Sequence, residues 1–264
     1  SWSAAMNNDR VILELDGVTA GYGTRSILHG LSLSVRAGEF VGIAGPNGSG
    51  KSTLLRVMTG LLEPSEGTVR LKGTPMRELS ARQRARSFGT VFLHRESLPS
   101  FSAGEYVRQR LFARGIRSAG EEDAAVERAL ETTGAARLAK QNIRTLSAGE
   151  LQLVSIAGAL AQNGGLLFLD EPTAHLDIQH SLETAALLSR LHAEGTAVVA
   201  VFHDINIALS CCTRIAGIRD GAVVCDMDPG TFAESGAAED LFGVTAARGK
   251  DPFTGKPVLH FISR

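Results

Sequence analysis

The sequence of 264 residues lacks the features of a membrane-spanning, secreted or polyanion-binding protein. No segment approaches the roughly 18 consecutive apolar residues that a membrane-spanning helix needs, and no secretory signal is visible. The formal net charge is only -1, which argues against a general nucleic-acid or membrane-surface binder. Internal repeats and low-complexity segments are absent as well. The length is ample for a buried core in one large domain or two small ones.

Cysteine is also scarce. The three cysteines, Cys211, Cys212 and Cys225, do not have the spacing of metal ligands. Two of them are adjacent, which suits reduced thiols in the cytosol better than a disulfide framework. The composition therefore fits a soluble intracellular enzyme better than a disulfide-stabilised scaffold.

A glycine-rich segment is the most informative feature that is present. Residues 45–53 read Gly-Pro-Asn-Gly-Ser-Gly-Lys-Ser-Thr and follow an apolar run at 40–44. This is the G-x-x-x-x-G-K-[ST] pattern of a phosphate loop between a strand and a helix. Glycines let backbone N–H groups turn inward, and the helix adds its positive N-terminal end. The candidate nucleotide-binding residues are Gly45, Asn47, Gly48, Ser49, Gly50, Lys51, Ser52 and Thr53.

Two carboxylates follow an apolar strand that is predicted over residues 165–169. In P-loop enzymes a carboxylate at a strand end holds Mg²⁺, and a neighbouring carboxylate can polarise the attacking water. Asp170 and Ser52 are therefore the candidate Mg²⁺ ligands, and Glu171 is the candidate general base. A solvated acidic strand end is the alternative interpretation.

Two aromatic side chains complete the candidate site. His203 follows a second apolar strand, at residues 198–202, where open α/β sheets place their ligands. Tyr22 lies between Gly21 and Gly23 and is a candidate for stacking on an adenine ring. Tyrosine between glycines is also common in ordinary turns, and that interpretation stays open.

The segment at 146–150, Leu-Ser-Ala-Gly-Glu, precedes an apolar helix that is predicted over residues 151–162. Ser147 as the N-cap and Glu150 three residues later form the pattern of a capping box. A helix start is also an anion site. The segment is therefore expected both to begin a helix and to offer a phosphate contact.

The hydrophobic pattern predicts an α/β layer fold. Residues 11–41 alternate apolar and polar positions with glycine turn signals, which predicts short strands and hairpins. Residues 104–139 carry Ala, Arg, Glu and Leu at helical spacing and form a predicted helical insert with a break at 115–120. Strands and helices then alternate up to a strand pair around Gly221.

In this order, the motifs resemble those of the nucleotide-binding subunit of ATP-binding-cassette (ABC) transporters over nearly the whole chain. Residues 45–53 match the Walker A loop, 146–150 the signature motif, 168–171 the Walker B strand and 174–177 the D-loop. Tyr22 matches the adenine-stacking residue and His203 the switch histidine. The resemblance implies a RecA-like P-loop NTPase core with an N-terminal antiparallel β subdomain and an inserted α-helical subdomain.

The implied domain covers residues 6–264 as a single ABC ATPase. The helical insert with the signature motif is expected at about 92–148, and a C-terminal tail at about 222–264. Residues 1–5 precede Met6 and are interpreted as an expression remnant.

The resemblance also implies a mechanism that needs two copies. Two subunits face each other head to tail, with ATP and Mg²⁺ between the Walker A loop of one and the signature motif of the other. Glu171 deprotonates water, and His203 senses the γ-phosphate. ATP closes the dimer and hydrolysis reopens it. The residues implied to contact the nucleotide of the second copy are Ser147, Ala148, Gly149, Glu150 and Asp177.

Residues 171–178, 203–208 and 251–257 look most like importers of the iron-siderophore, haem and vitamin B12 group. The implied partners are a second ATP-binding subunit in a homodimer, transmembrane permease subunits and, indirectly, a substrate-binding protein, with no nucleic acid. The implied location is the cytoplasmic face of the cell membrane, through the permease.

Several positions depart from the family pattern. Ala148 stands where glycine is usual, and Leu153 and Gly158 replace basic residues. Leu93 falls at the position of the Q-loop glutamine, with His94 adjacent, which leaves the Mg²⁺ shell and the coupling to membrane subunits open.

Three other functions stay open at this point. A non-transport ABC ATPase, for iron–sulfur assembly or DNA repair, would share the motifs. A P-loop kinase would share only the phosphate loop. A regulatory cassette that barely hydrolyses ATP would fit the altered Q-loop.

Overall fold

Two long antiparallel strands begin the part of the chain that the structure, a computed structural model, describes: residues 10–92, 99–115, 118–162 and 164–262. Strands β1 (Val11–Tyr22) and β2 (Arg25–Arg36) pair with each other. They are longer than the predicted short strands, because β1 continues through Gly17, whose φ of 59° accommodates a shift in register. Strands β4 (Glu66–Leu71) and β5 (Thr74–Pro75) complete a four-stranded sheet in the order β2-β1-β4-β5. Strand β3 (Phe40–Ala44) belongs to a second sheet.

The second sheet consists of β3, β6 (Gly89–Val91), β7 (Leu166–Asp170), β8 (Ala197–Val201), β9 (Arg214–Arg219) and β10 (Ala222–Met227). The order of these six strands is β10-β9-β3-β8-β7-β6. Its parallel neighbours place the carboxyl ends of β3, β7 and β8 at one edge, which is where the loops with the candidate site residues begin. The strands β3, β7 and β8 are almost wholly buried, as expected for a sheet covered on both faces.

Two apolar cores lie on the two faces of this sheet. Phe168 and Val199 belong to the core that is shared with the four-stranded sheet and with helix α1 (Lys51–Met58). Leu169 and Val198 point to the opposite face, because successive side chains of a strand alternate. That face is covered by helices α6 (Ile178–Ala193), α7 (Ile205–Cys211), α8 (Pro229–Glu234) and α9 (Ala237–Phe242).

The helical insert has a third core of its own. Helices α3 (Ala103–Arg110), α4 (Ala119–Thr132) and α5 (Ala148–Ala161) pack around buried side chains such as Val107, Leu130 and Val154. The predicted break is present, because a 3-10 turn at Leu111–Arg114 follows α3 and the next helix begins at Ala119. Helix α2 (Ala81–Ser87) precedes β6.

A short hairpin follows α9, formed by β11 (Thr245–Lys250) and β12 (Pro257–Ile262). It is attached to α7 by a side-chain amide. Asn206 Nδ2 donates to the Leu259 carbonyl at 3.0 Å, and Leu259 N donates to Asn206 Oδ1 at 2.9 Å. No helix within the described ranges is long and apolar enough to cross a membrane.

Candidate active site

The phosphate loop connects β3 to α1, and its glycines are sterically required. A Cβ at Gly45 would lie 2.1 Å from the Ile218 carbonyl oxygen. Gly50 is the N-cap of α1 and has a φ of 103°, in the left-handed region that favours glycine. Ser49 Oγ is buried and has no hydrogen-bond partner in the described part of the chain. An unpaired hydroxyl at a helix start fits an incoming phosphate oxygen.

Lys51 lies inside this loop. Its Nζ donates to the carbonyl oxygens of Gly45 at 2.8 Å and Pro46 at 2.9 Å. Burial lowers the pKa of Lys51, whereas the carboxylates of Glu171 and Asp170 act in the opposite direction. The ammonium is therefore placed between the loop and two acidic strand-end residues. A cation in this position fits the β- and γ-phosphates of a nucleotide.

Ser52 and Asp170 meet although they are far apart in sequence. Ser52 Oγ donates to Asp170 Oδ1 at 3.2 Å, which joins the first turn of α1 to the end of β7. These oxygen donors fit Mg²⁺, which takes one or two carboxylates together with substrate phosphates and waters. Within the described ranges, no cluster of three or more His, Cys, Asp or Glu residues could hold a metal without such help.

Glu171 and His203 form the second carboxylate-centred pair. His203 Nε2 lies 2.6 Å from Glu171 Oε1, and the two side chains are 44% and 32% exposed. Glu171 has a φ of 53°, in the left-handed region, which costs on the order of 1–3 kcal/mol for a residue other than glycine. Glu171 thus combines an unfavourable backbone conformation with a carboxylate that contacts a partly exposed imidazole. The carboxylate can accept a proton, and the imidazole can orient the carboxylate.

The predicted capping box at the start of α5 is confirmed. Glu150 N donates to Ser147 Oγ at 3.2 Å, and Ser147 N donates to Glu150 Oε2 at 3.1 Å. The hydrogen bond from Ser147 N lowers the pKa of Glu150, and Arg137, at 2.9 Å, acts in the same direction. Helix α5 therefore begins at Ala148, three residues before the predicted start, with Ser147 exposed and Gly149 buried.

Asp177 caps a second helix. It accepts a hydrogen bond from His180 N at 2.8 Å at the start of α6, and its two oxygens lie 2.8 Å from His180 Nδ1. These interactions lower the pKa of Asp177, with the backbone N–H of His180 as the largest cause. His180 is not among the residues predicted from sequence, although its spacing of three from an N-cap residue would have been a signal.

Tyr22 lies at the end of β1, 45% exposed. Arg56 Nη1 donates to the Tyr22 hydroxyl at 2.7 Å, and the Arg56 guanidinium carbon lies 6.0 Å from the ring centroid. Arg56 belongs to α1, so the ring is fixed relative to the helix that follows the phosphate loop. Leu93 and His94, the two Q-loop candidates, lie outside the described residues.

The apolar residues that replace basic ones in α5 have structural partners. Leu153 packs against both the second and the third core. At Gly158, an added Cβ would lie 3.2 Å from Arg110 Cγ and 3.5 Å from Tyr106 Cε1. The aliphatic part of the Arg110 side chain thus covers α5 at Gly158, where the helix has no side chain of its own.

Comparison with known families settles the relationship. The family model described as ABC transporter matches residues 28–174, more than half of the chain. This chain belongs to the ABC transporter family. It is therefore an ATPase with a nucleotide-binding domain, and the resemblance inferred from the motifs is confirmed.

Two curated relatives are similar to this ABC ATPase over nearly its whole length. The hemin import ATP-binding protein HmuV of Nitrobacter winogradskyi is 38% identical over 245 residues, which are 90% of this chain and 90% of the relative. The ferric enterobactin transport ATP-binding protein FepC of Escherichia coli is 34% identical over 254 residues, which are 94% of this chain and 93% of the relative.

A solved ATP-binding cassette, a dimer in a post-hydrolysis state bound to ADP and Pi, superimposes with a TM-score of 0.75 at 33% identity. The superposition covers 83% of this chain and 99% of the solved chain. The predicted fold class, a P-loop NTPase core with an antiparallel β subdomain and a helical insert, is confirmed.

Proposed function

We propose that this ABC ATPase powers the import of a metal chelate, of the iron-siderophore, haem or cobalamin class, through separate permease subunits. The observation that carries the ATPase part is the convergence of Lys51, the Ser52–Asp170 pair and the Glu171–His203 pair at one sheet edge. The import part is supported by two near-full-length relatives that are named as import or transport ATP-binding proteins. A non-transport ABC ATPase is not favoured by these relatives.

ATP binds first on the phosphate loop of one subunit. Lys51 contacts the β- and γ-phosphates, and the backbone of residues 45–53 surrounds them. Tyr22 stacks on the adenine ring from the end of β1. Ser52 and Asp170 would hold Mg²⁺, which would supply positive charge to the phosphate oxygens.

A second copy completes the site. The signature residues Ser147, Ala148, Gly149 and Glu150 and the D-loop residue Asp177 reach the nucleotide of the partner. The dimeric state of the solved cassette that is 33% identical supports this arrangement. The exposed hydroxyl of Ser147 lies at the N-terminus of a 14-residue helix, where the helix dipole favours an anion.

Hydrolysis then uses the strand-end pair. A water molecule attacks the γ-phosphate and loses its proton to the Glu171 carboxylate. His203 donates from Nε2 to Glu171, orients the carboxylate and faces the γ-phosphate. Loss of the γ-phosphate removes the contacts that hold two copies together, so the dimer reopens.

Permease subunits transmit this closure across the membrane, and a substrate-binding protein delivers the chelate to them. The ATPase is then a peripheral subunit at the cytoplasmic face of the cell membrane. The transported chelate contacts the permease and not the residues described here.

Uptake by cells that express the chain with its permease tests this function. Haem, a ferric siderophore and cobalamin would each be supplied as a labelled chelate. The expected result is uptake of one of them that requires an intact Lys51. ATP hydrolysis by the purified complex without uptake of any chelate would contradict the import proposal and would leave the ATPase assignment standing.

A further inference from the structure

The imidazole of His180 lies between the signature motif and the D-loop, the two segments that are proposed to reach the nucleotide of the second copy. A Cβ placed on Gly149 would lie 2.2 Å from His180 Cδ2, so the ring of His180 rests directly on the backbone of the signature motif. The Nδ1 atom of the same ring lies 2.8 Å from both oxygens of Asp177 in the D-loop. His180 thus joins the first turn of α5 to the first turn of α6.

Asp177 fixes the orientation of the His180 ring as well as the start of α6. The Asp177 carboxylate, whose pKa is lowered by these contacts, only accepts hydrogen bonds, so the proton on the ring is assigned to Nδ1. Asp177 also accepts from the backbone N–H of His180 at 2.8 Å. The Cδ2 side of the ring contacts Gly149, and the Nδ1 side contacts Asp177. The ring therefore sets the spacing between these two residues.

The helix start alone does not need this side chain. A cap at Asp177 requires only the backbone N–H of residue 180, which any residue except proline supplies. Gly149, in turn, is buried and has no room for a Cβ because the ring fills that space. The imidazole therefore acts on the position of α5 relative to α6 and is not needed to cap α6.

We propose that His180 is a positioning residue that holds the signature motif and the D-loop at a fixed spacing, so that both reach the second copy together when ATP closes the dimer. This inference rests on the proposed dimeric function. His180 is not among the residues proposed to hold the nucleotide of its own chain, so its effect is expected in closure and turnover. A displacement of about 1 Å in such groups can cost on the order of 10²-fold in rate.

The test compares variants in the Glu171→Gln background, where ATP is expected to trap the closed dimer. His180→Ala removes the imidazole, and with it the contact of the ring with Gly149 and the side-chain hydrogen bond to Asp177, while the backbone N–H of residue 180 still caps α6. His180→Asn puts an amide nitrogen where Nδ1 stands and an amide oxygen near Gly149. Gln179→Ala is the matched control, because Gln179 lies in the same turn of α6, is exposed, and its side chain bonds to Glu183 and not to Asp177 or Gly149 in the described structure.

Two quantities are measured: the Kd for ATP with the monomer at low protein concentration, and the protein concentration at half-dimerisation with ATP. His180→Ala is expected to leave the Kd unchanged and to raise the half-dimerisation concentration by about tenfold or more. His180→Asn should recover most of this loss, and Gln179→Ala should match the parent.

Three results would overturn the inference. One is His180→Ala dimerising like the parent, and another is His180→Ala losing monomer ATP affinity in parallel with dimerisation. The third is His180→Asn being as defective as His180→Ala. A Glu171→Gln parent that does not dimerise with ATP would instead contradict the proposed dimeric function, and the inference would fall with it.

Discussion

His203 Nε2 and Glu171 Oε1 lie 2.6 Å apart because their strands are parallel neighbours. Asp170, at the end of β7, pairs with Val201 in β8, so the residues that follow each strand emerge side by side. Two positions that are distant in sequence thus become a single acid–base pair. The register of two buried strands therefore determines the geometry of the proposed general base.

Replacing Lys51 with alanine is expected to abolish ATP binding almost completely. The substitution removes the buried ammonium that lies among the carbonyls of the phosphate loop, and with it the charge-assisted contacts to the β- and γ-phosphates. Titration with a fluorescent ATP analogue measures the loss. Lys140→Ala, at an exposed lysine, is the control, and an unchanged affinity in Lys51→Ala would refute the Walker A assignment.

Replacing Glu171 with glutamine is expected to separate binding from chemistry. The amide keeps the shape of the side chain but cannot take a proton from water, so hydrolysis should fall by about 10²-fold or more while ATP affinity is kept. The ATPase rate and size-exclusion chromatography with ATP are the measurements. Glu194→Gln, on an exposed glutamate, should behave as the wild type, and normal turnover by a monomeric Glu171→Gln protein would contradict the assignment.

The Q-loop prediction concerns Mg²⁺. Leu93 has no lone pair to offer the ion, and the imidazole of His94 matches Mg²⁺ less well than oxygen does. We expect a weak basal ATPase in which Leu93→Gln lowers the Mg²⁺ concentration needed for half-maximal rate, while His94→Ala changes it little. Rates measured against Mg²⁺ concentration decide this. A collapse of activity in His94→Ala would show that His94 holds the Q-loop position.

The buried ring of Phe168 is expected to be a major source of stability. Phe168 is 0% exposed and meets Phe88 edge to face with ring centroids 5.2 Å apart. Phe168→Ala should lower the free energy of unfolding by about 3–5 kcal/mol, because it removes apolar contacts and leaves a cavity. Phe253→Ala, at a side chain that is 96% exposed, should change it by less than about 0.5 kcal/mol. Urea unfolding of both variants provides the comparison, in which equal losses would argue against the packing explanation.

Sequence reasoning reached furthest where function requires particular residue types. The phosphate loop, the acidic strand end and the capping box at Ser147 all follow local rules, and the structure contains each of these local elements. The contact of His180 with Gly149 could not be predicted, because it joins two helices whose relative position depends on the packing of the whole insert. The strands β1 and β2 are longer than predicted: Gly23 lies in the turn between them, but Gly17 and Gly21 lie at shifts in strand register inside β1.

The attachment of the last hairpin has a practical consequence for handling the protein. The Asn206–Leu259 bonds tie β12 to α7, the helix that begins two residues after His203. Proteolytic loss of β12 would remove this tether from the segment that carries His203. A trimmed preparation would lack this contact beside the candidate site, so the intact mass should be checked before any kinetic comparison.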